Sequence, residues 1–249
     1  MKSKIALNGF FGRMGQSIYE ESKKYTDCEI TVGCDIEEKI LSKEFKNITL
    51  TSNLKNHNSL FDCVIDFSLP NSSLIAVELC NSLNKPITIG TTGFTEEQLN
   101  QIQKFSKNIP ILLAPNMSFG VNATFSLIEK MAKILPDYNV RIKEVHHKNK
   151  LDKPSGTAIK IAQILSNEKN IEIGDINSPN CPIKIDSDRI DSEIGTHEVV
   201  FKNNENEISI KHTAFNRSIF AAGALKTAMW IKDQPAGFYN YSNFISSKS

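Results

Sequence analysis

The strongest constraint on the fold is an alternation, over residues 4–113, of short apolar runs with segments of helical pattern. Lys4 to Asn8 carries Ile5-Ala6-Leu7 and stops at a glycine turn, Gly9-Phe10-Phe11-Gly12-Arg13-Met14-Gly15, from which a helix bearing Ile18 and Tyr19 departs. Glu29 to Cys34, Asp62 to Phe67, Ile87 to Ile89 and Ile111 to Leu113 repeat the apolar run. Helices are expected over 71–81 and after the capping box Thr95-Glu96-Glu97-Gln98. Strands alternating with helices imply a parallel sheet covered on both faces, so the expected class is α/β with a doubly wound parallel sheet.

In such a sheet the ligand site lies beyond the carboxyl ends of the strands. The unusual turns all fall there: Gly9 to Gly15, Asp35, Phe67-Ser68, Gly90-Thr91-Thr92-Gly93-Phe94 and Ala114-Pro115-Asn116-Met117-Ser118. The spacing G-x-x-G-x-x-G is a relative of the Rossmann-type dinucleotide fingerprint, in which glycines let the backbone approach a pyrophosphate and a helix N-terminus faces its charge. Asp35 ends the second strand, 35 − 15 = 20 residues after Gly15, the distance at which an acid takes the ribose hydroxyls of NAD. It is followed by Ile36, Glu37 and Glu38, with no arginine beside it to receive a 2′-phosphate. NADH is therefore expected to be favoured over NADPH, with NADPH possible.

After Ser118 the pattern changes. An amphipathic helix over 122–135, a strand from Asn139, a helix from Ser155 and strands at Ile183–Arg189, Ile194–Phe201 and Glu207–Thr213 predict an α+β unit with an open mixed sheet. The small-residue helix Ile219–Ile231 is expected to return to the first domain. The expected division is residues 1–117 and 219–249 for the dinucleotide and 118–218 for the substrate. Within the second part, Glu144-Val145-His146-His147-Lys148-Asn149-Lys150-Leu151-Asp152-Lys153-Pro154-Ser155-Gly156-Thr157 has the composition of a site. Strand alternation puts Val140, Ile142, Glu144 and His146 on one face and Val145 and His147 on the other if the strand runs through both histidines. Ser155 is a plausible N-cap, so a helix N-terminus would lie near Lys150 and the histidines, a place to hold a carboxylate or phosphate. A solvated charged loop is the plainer reading of the same charges; the paired histidines beside a Ser-Gly-Thr helix start favour a site.

Over 249 residues, with a formal net charge of +1, the chain has no excess of basic charge, and no nucleic-acid partner is expected. No run approaches transmembrane length, and Met1-Lys2-Ser3-Lys4 leads straight into a strand, so a cytoplasmic protein with no membrane partner is expected. Cys28, Cys34, Cys63, Cys80 and Cys181 contain no C-x-x-C pair and read as reduced thiols. A zinc site drawn from Cys181, His197, His212 and the His146/His147 pair has no supporting spacing, and no metal is expected. The C-terminus reads as a polar tail.

Taken together, the residues resemble one family, the 4-hydroxy-tetrahydrodipicolinate reductases, long called dihydrodipicolinate reductases, of bacterial lysine and diaminopimelate biosynthesis. The matching pieces are Gly9-x-x-Gly12-Arg13-Met14-Gly15, Val64-Ile65-Asp66-Phe67-Ser68, Gly90-Thr91-Thr92-Gly93-Phe94, Ala114-Pro115-Asn116-x-Ser118-x-Gly120-Val121-Asn122, Glu144-x-His146-His147-x-x-Lys150-x-Asp152-x-Pro154-Ser155-Gly156-Thr157-Ala158, Gly195-x-His197 and Arg217-x-x-Phe220-Ala221-x-Gly223-Ala224, in family order along nearly the whole chain. The resemblance implies a Rossmann-type cofactor domain, a hinged substrate domain and a homotetramer assembled through the substrate-domain sheets. It also implies reduction, by NADH or NADPH, of a cyclic imine bearing two carboxylates, formed as the 4-hydroxy substrate loses water.

Carried over by residue, the resemblance makes His146 the general acid and Lys150 a substrate-binding, charge-stabilising residue, with His147, Ser155, Gly156 and Thr157 holding substrate polar groups. Gly9, Gly12, Arg13, Met14, Gly15, Asp35, Phe67 and Ser68 fall to the cofactor, and Gly90, Thr91, Thr92, Ala114, Pro115, Asn116 and Met117 seat its nicotinamide end. The chemistry agrees, since a histidine with a pKa near 6.5 supplies a proton near neutral pH. Phe10, Met117, Lys153 and Ile36 depart from the family pattern. Two other readings stand beside this one: another two-domain NAD-dependent dehydrogenase of a small carboxylic substrate, and a non-catalytic nucleotide-sensing protein.

Overall fold

The run Ile5-Ala6-Leu7 becomes the centre of β1 (Ser3–Asn8), with Ile5 and Leu7 packed on one face of the sheet and Ala6 on the other, the alternation a pleated strand requires. The computed structural model describes residues 2–40, 45, 47–176, 178, 180–190 and 193–248. After β1 come α1 (Arg13–Ser22), β2 (Cys28–Cys34), the short α2 (Glu37–Ile40), β3 (Thr49–Thr51), β4 (Cys63–Asp66), α3 (Pro70–Leu83), β5 (Ile87–Ile89), α4 (Glu96–Phe105) and β6 (Pro110–Leu113). The Thr95–Gln98 capping box forms as expected: Thr95 Oγ1 accepts from the Gln98 amide and Gln98 Oε1 from the Thr95 amide.

The chain continues through α5 (Phe119–Ile134), β7 (Asn139–His146), α6 (Gly156–Lys169), β8 (Lys184–Arg189), β9 (Gly195–Lys202) and β10 (Glu207–Ala214). It then passes into α7 (Ser218–Ile231), β11 (Gly237–Tyr239) and α8 (Tyr241–Ser246). Two compact units result, Met1–Phe119 with Ser218–Ser249, and Gly120–Arg217. The first unit runs through Phe119, whose ring packs edge-on against Phe244.

The first unit holds a seven-stranded sheet in the order β11-β6-β5-β4-β1-β2-β3, every pair parallel. The order reverses between β1 and β4, the topological switch point where open α/β sheets bind ligands. Helices α1, α7 and α8 supply the core on one face, and α3 and α4 on the other. In the second unit the order is β10-β9-β7-β8, with β7 parallel to β8 and antiparallel to β9. This mixed sheet packs one face on α5 and α6 around Ile142, Val199 and Phe201.

Two features differ from the sequence reading. The expected polar tail instead forms β11, which extends the sheet beside β6, and α8, which buries Tyr241 and Phe244. β3 lies in a stretch read only as polar, because a three-residue edge strand carries too little pattern to register. Phe10 is buried in the glycine turn, with rings of Phe11 and Phe45 edge-on at 5.1 and 5.0 Å. Its ring fits because Gly33 on β2 has no side chain; a Cβ there would stand 2.8 Å from the ring.

Gly223 explains part of the Phe-Ala-x-Gly-Ala motif. A Cβ at this position of α7 would lie 1.6 Å from the Met117 carbonyl oxygen, so only glycine lets the helix pack this closely on the chain after β6. Gly223→Ala is expected to destabilise the protein by about 1–3 kcal/mol, as overpacking does, and to lower the melting temperature measured by circular dichroism. An unchanged melting curve would show that the helix shifts freely and that the close contact is unimportant.

Candidate active site

In the first unit, a cleft of about 550 Å³ opens at the switch point, lined among others by Asn8, Gly9, Gly12, Asp35, Lys39 and Ser68. The three glycines have separate roles. Gly9 has φ +80°, and a Cβ on it would stand 2.2 Å from the Phe67 carbonyl oxygen. Gly15 packs α1 onto the turn, where a Cβ would lie 2.3 Å from the Gly9 carbonyl oxygen. Gly12 is the N-cap of α1, and no side chain caps the helix, which leaves its positive end open to an anion. This is a fit for a pyrophosphate.

Asp35 follows β2 directly. Its Oδ2 accepts from the Phe11 amide at 2.8 Å and its Oδ1 from the Ile36 amide at 2.9 Å, while Lys39 Nζ lies 3.1 Å from Oδ1. Lys39 was not singled out from the sequence. It stands one helical turn after Asp35, so helical spacing and not sequence adjacency brings the cation to the carboxylate. Phe67 and Ser68 line the same cleft. Arg13 is exposed and Met14 packs against the core. The Gly90–Thr92 and Ala114–Met117 stretches follow β5 and β6 along the same edge of the sheet. Thr91 is buried, Thr92 and Pro115 are exposed, and Asn116 Oδ1 accepts from the Ser118 amide at 2.9 Å. Ala114 and Met117 belong to the core, Met117 being 2% exposed, so neither side chain is presented to a ligand.

In the second unit β7 ends at His146, so His147 opens the following turn and the pleat does not set its direction. Ile142, Glu144 and His146 share the buried face, as the alternation predicts. Sheet register then brings distant residues to Glu144: His197 on β9 is its antiparallel partner, and Arg189 on β8 is the parallel partner of His146. Glu144 Oε2 lies 3.5 Å from both His146 Nδ1 and His197 Nε2, and Arg189 Nη2 lies 3.4 Å from Oε1. The Ser155 amide donates to Oε1 at 3.0 Å. Ser155 Oγ caps α6 by accepting from the Ala158 amide at 3.2 Å and sits 3.1 Å from His197 Nε2.

Burial works to raise the pKa of Glu144, but hydrogen bonds from His197, Ser155 and Ser187 together outweigh it and hold the carboxyl well below the usual range. His146 moves the other way. Burial, and then the charge of His197, push its pKa down to about 4; Glu144 opposes the shift, while Lys150 and Arg189 add to it. The premise of a histidine near 6.5 is thus corrected: unliganded, His146 is neutral at pH 7. Among the described residues, Glu144, His146 and His197 are the cluster whose donor atoms lie close enough for a cation, within 4.8 Å of one another. Neither Cys181 nor His212 belongs to it, and Arg189 and the Ser155 amide already engage the carboxylate.

Lys150 Nζ holds the Asp152 carboxylate at 2.8 Å to each oxygen, and this cation, with the nearby backbone amides of Asp152 and Gly156, keeps the Asp152 pKa below its ordinary value against the opposing effect of burial. His147 Nε2 lies 3.3 Å from Arg217 Nη2, and Thr157 is half-buried in the first turn of α6. All five cysteines are buried and unpaired. No helix among the described residues is long and apolar enough to cross a membrane.

A parallel sheet with a glycine turn and an acid at the end of its second strand, joined in one chain to a unit with a buried carboxylate–histidine cluster, fits a Rossmann-type oxidoreductase of the pyridine-nucleotide class. Comparison with known proteins narrows the class. Residues 3–117 match the family described as dihydrodipicolinate reductase, N-terminus, and residues 120–245 its C-terminus. The chain belongs to the dihydrodipicolinate reductase family. It is 37% identical to the 4-hydroxy-tetrahydrodipicolinate reductase of Buchnera aphidicola subsp. Cinara cedri, over 98% of this chain and 97% of that one. It is 39% identical to that of Aquifex aeolicus, over 96% and 97%. Among solved structures, the dipicolinate-bound dihydrodipicolinate reductase from Paenisporosarcina sp. TG-14 superposes with a TM-score of 0.83 at 25% identity, covering 96% of this chain and 98% of that one.

The depressed histidines fix a sign for stability. As pH falls from the ordinary histidine value of 6.5 towards about 4, the unfolded chain binds a proton that folded His146 refuses, so stability is lost over that window. His212, lowered by burial and by His197, adds to the slope. The melting temperature is expected to fall between pH 7 and pH 5, and His146→Gln is expected to flatten the curve. A wild-type melting temperature independent of pH in that range would contradict the assignment.

Proposed function

We propose that this chain catalyses the NAD(P)H-dependent reduction of the cyclic imine derived from 4-hydroxy-tetrahydrodipicolinate to tetrahydrodipicolinate, a step of lysine and diaminopimelate biosynthesis. The observation that carries the reading is the Asp152 carboxylate held by Lys150 beside the start of α6. A carboxylate of the chain already takes the donors that a dicarboxylate substrate needs. Relatives named for this reaction along the whole chain, and a related structure holding dipicolinate, a ring bearing two carboxylates, support it.

The nicotinamide supplies the hydride when bound. The second unit supplies charge and a proton. Lys150 and the α6 N-terminus hold carboxylate, and Glu144 orients Ser155, His146 and His197. Two substrate carboxylates arriving near His146 favour its protonated form, so substrate binding itself generates the acid. The site is built from these residues with His147 and Thr157 in support. A cytoplasmic location and a homotetramer formed through the open sheet of the second unit belong to the same reading; Arg141 and Lys143, on the β7 face turned away from the helices, are exposed.

Kinetics test the roles. His146→Ala is expected to lower kcat by about 10²–10⁴-fold, the usual range for a lost acid, with a modest change in KM, while Lys150→Ala impairs both. The rate should fall as pH rises through the acid's pKa, and that pKa should be higher in the kcat profile, which reports the substrate complex, than in kcat/KM. A His146→Ala enzyme with near-wild-type kcat would assign the proton to Lys150 instead.

For the cofactor we propose that NADH is preferred, because the Asp35 carboxylate faces the ribose end, and that NADPH is accepted because Lys39 Nζ lies 3.1 Å from that carboxylate in the same cleft. Lys39→Ala is expected to reduce kcat/KM for NADPH by roughly ten-fold or more, the scale of a lost charged hydrogen bond, and to change that for NADH little. An unchanged NADPH to NADH ratio would remove Lys39 from the account.

A further inference from the structure

Asp66 ends β4 at the switch point with its side chain wholly buried, and it takes no part in the chemistry proposed above. Three side-chain donors converge on it from three segments. Asn8 Nδ2, at the end of β1, donates to Oδ1 at 2.7 Å, and Ser68 Oγ donates to the same oxygen at 2.6 Å. Thr91 Oγ1, just after β5, donates to Oδ2 at 2.6 Å. Thr91 Oγ1 also accepts from the Ser68 amide at 2.9 Å and Ser68 Oγ from Asn8 Nδ2 at 3.2 Å, so each hydroxyl can accept there and still give its proton to Asp66, the nearest acceptor for both.

We propose that Asp66 is a positioning residue for cofactor binding, fixing the Ser68 and Thr91 turns at the carboxyl ends of β4 and β5 through their hydroxyls. The inference rests on the cofactor reading of this cleft. Only a carboxylate offers an oxygen acceptor on both sides. An asparagine of the same shape turns an N–H₂ toward either Thr91 or the Ser68–Asn8 pair, and a buried donor then meets a donor. The strand ends would remain paired through the main chain, as Phe67 N to Asn8 O and Gly90 N to Asp66 O show. The cost therefore falls on the turns and not on the sheet.

The test is calorimetric titration of NADH into wild type, Asp66→Asn, Thr91→Val and the double variant, with melting temperature recorded and dipicolinate titrated as a probe of the second unit. Asp66→Asn is expected to weaken NADH about ten- to a hundred-fold while dipicolinate binding is kept. The double variant should be no weaker than Asp66→Asn alone, because both changes break one connection. Should Asp66→Asn not fold, Ser68→Ala and Thr91→Val carry the test, each weakening NADH several-fold with melting unchanged. Wild-type affinity for NADH in Asp66→Asn, or strictly additive effects in the double variant, would overturn the proposal. So would wild-type affinity in both hydroxyl variants. If the wild type itself fails to bind NADH, the cofactor reading falls and this inference with it.

Discussion

The hydrogen bond from Asn8 to Asp66 joins the two strands between which the parallel sheet reverses its order. Much of the first unit follows from that junction. β1 and β4 are register partners up to this pair, and the chain leaves both strands in turns that must pass close together. Gly9 answers that crowding with positive φ and no side chain against the Phe67 carbonyl. The same turn then delivers Gly12 to the start of α1 and Phe11 to the Asp35 carboxylate. The open start of α1 and the Asp35 carboxylate are thus set by one stretch of backbone.

The second unit has its own buried carboxylate, shifted the other way. Burial raises the pKa of Asp66 against the hydrogen bonds from Ser68, Thr91 and Asn8 that favour its carboxylate form. At Glu144 the donors prevail, with Arg189 close by, and the pKa falls well below the usual range. A permanent negative charge between two histidines and an arginine holds the start of α6 in place through Ser155. It does not make His146 basic, because burial and the neighbouring cations and histidine work against protonation. In the proposed reaction such a group charges when a dianion arrives, which would link binding to proton supply.

The sequence made much of this legible where the pattern is local. Strand, glycine turn, helix and trailing acid are all defined over short spacings, and so is the Ser155 cap. Pairing register is not local, and what depends on it was hidden: Arg189 and His197 reach Glu144 only because β8 and β9 flank β7. Lys39 was missed because helical spacing carries it back to Asp35. Asp66 was hidden inside an apolar run that reads simply as a buried strand. The Ala114–Met117 stretch, expected to seat the nicotinamide end, buries the side chains of Ala114 and Met117 in the core.

The account requires that hydride pass from the nicotinamide to the cyclic imine on this chain. The direct measurement is reduction of freshly generated 4-hydroxy-tetrahydrodipicolinate with NADH deuterated at the transferring carbon, followed by mass spectrometry of the tetrahydrodipicolinate formed. The product is expected to be heavier by a single deuterium, with the label lost from the cofactor. Oxidation of cofactor with no deuterium in the product, or no turnover while NADH is bound, would contradict it.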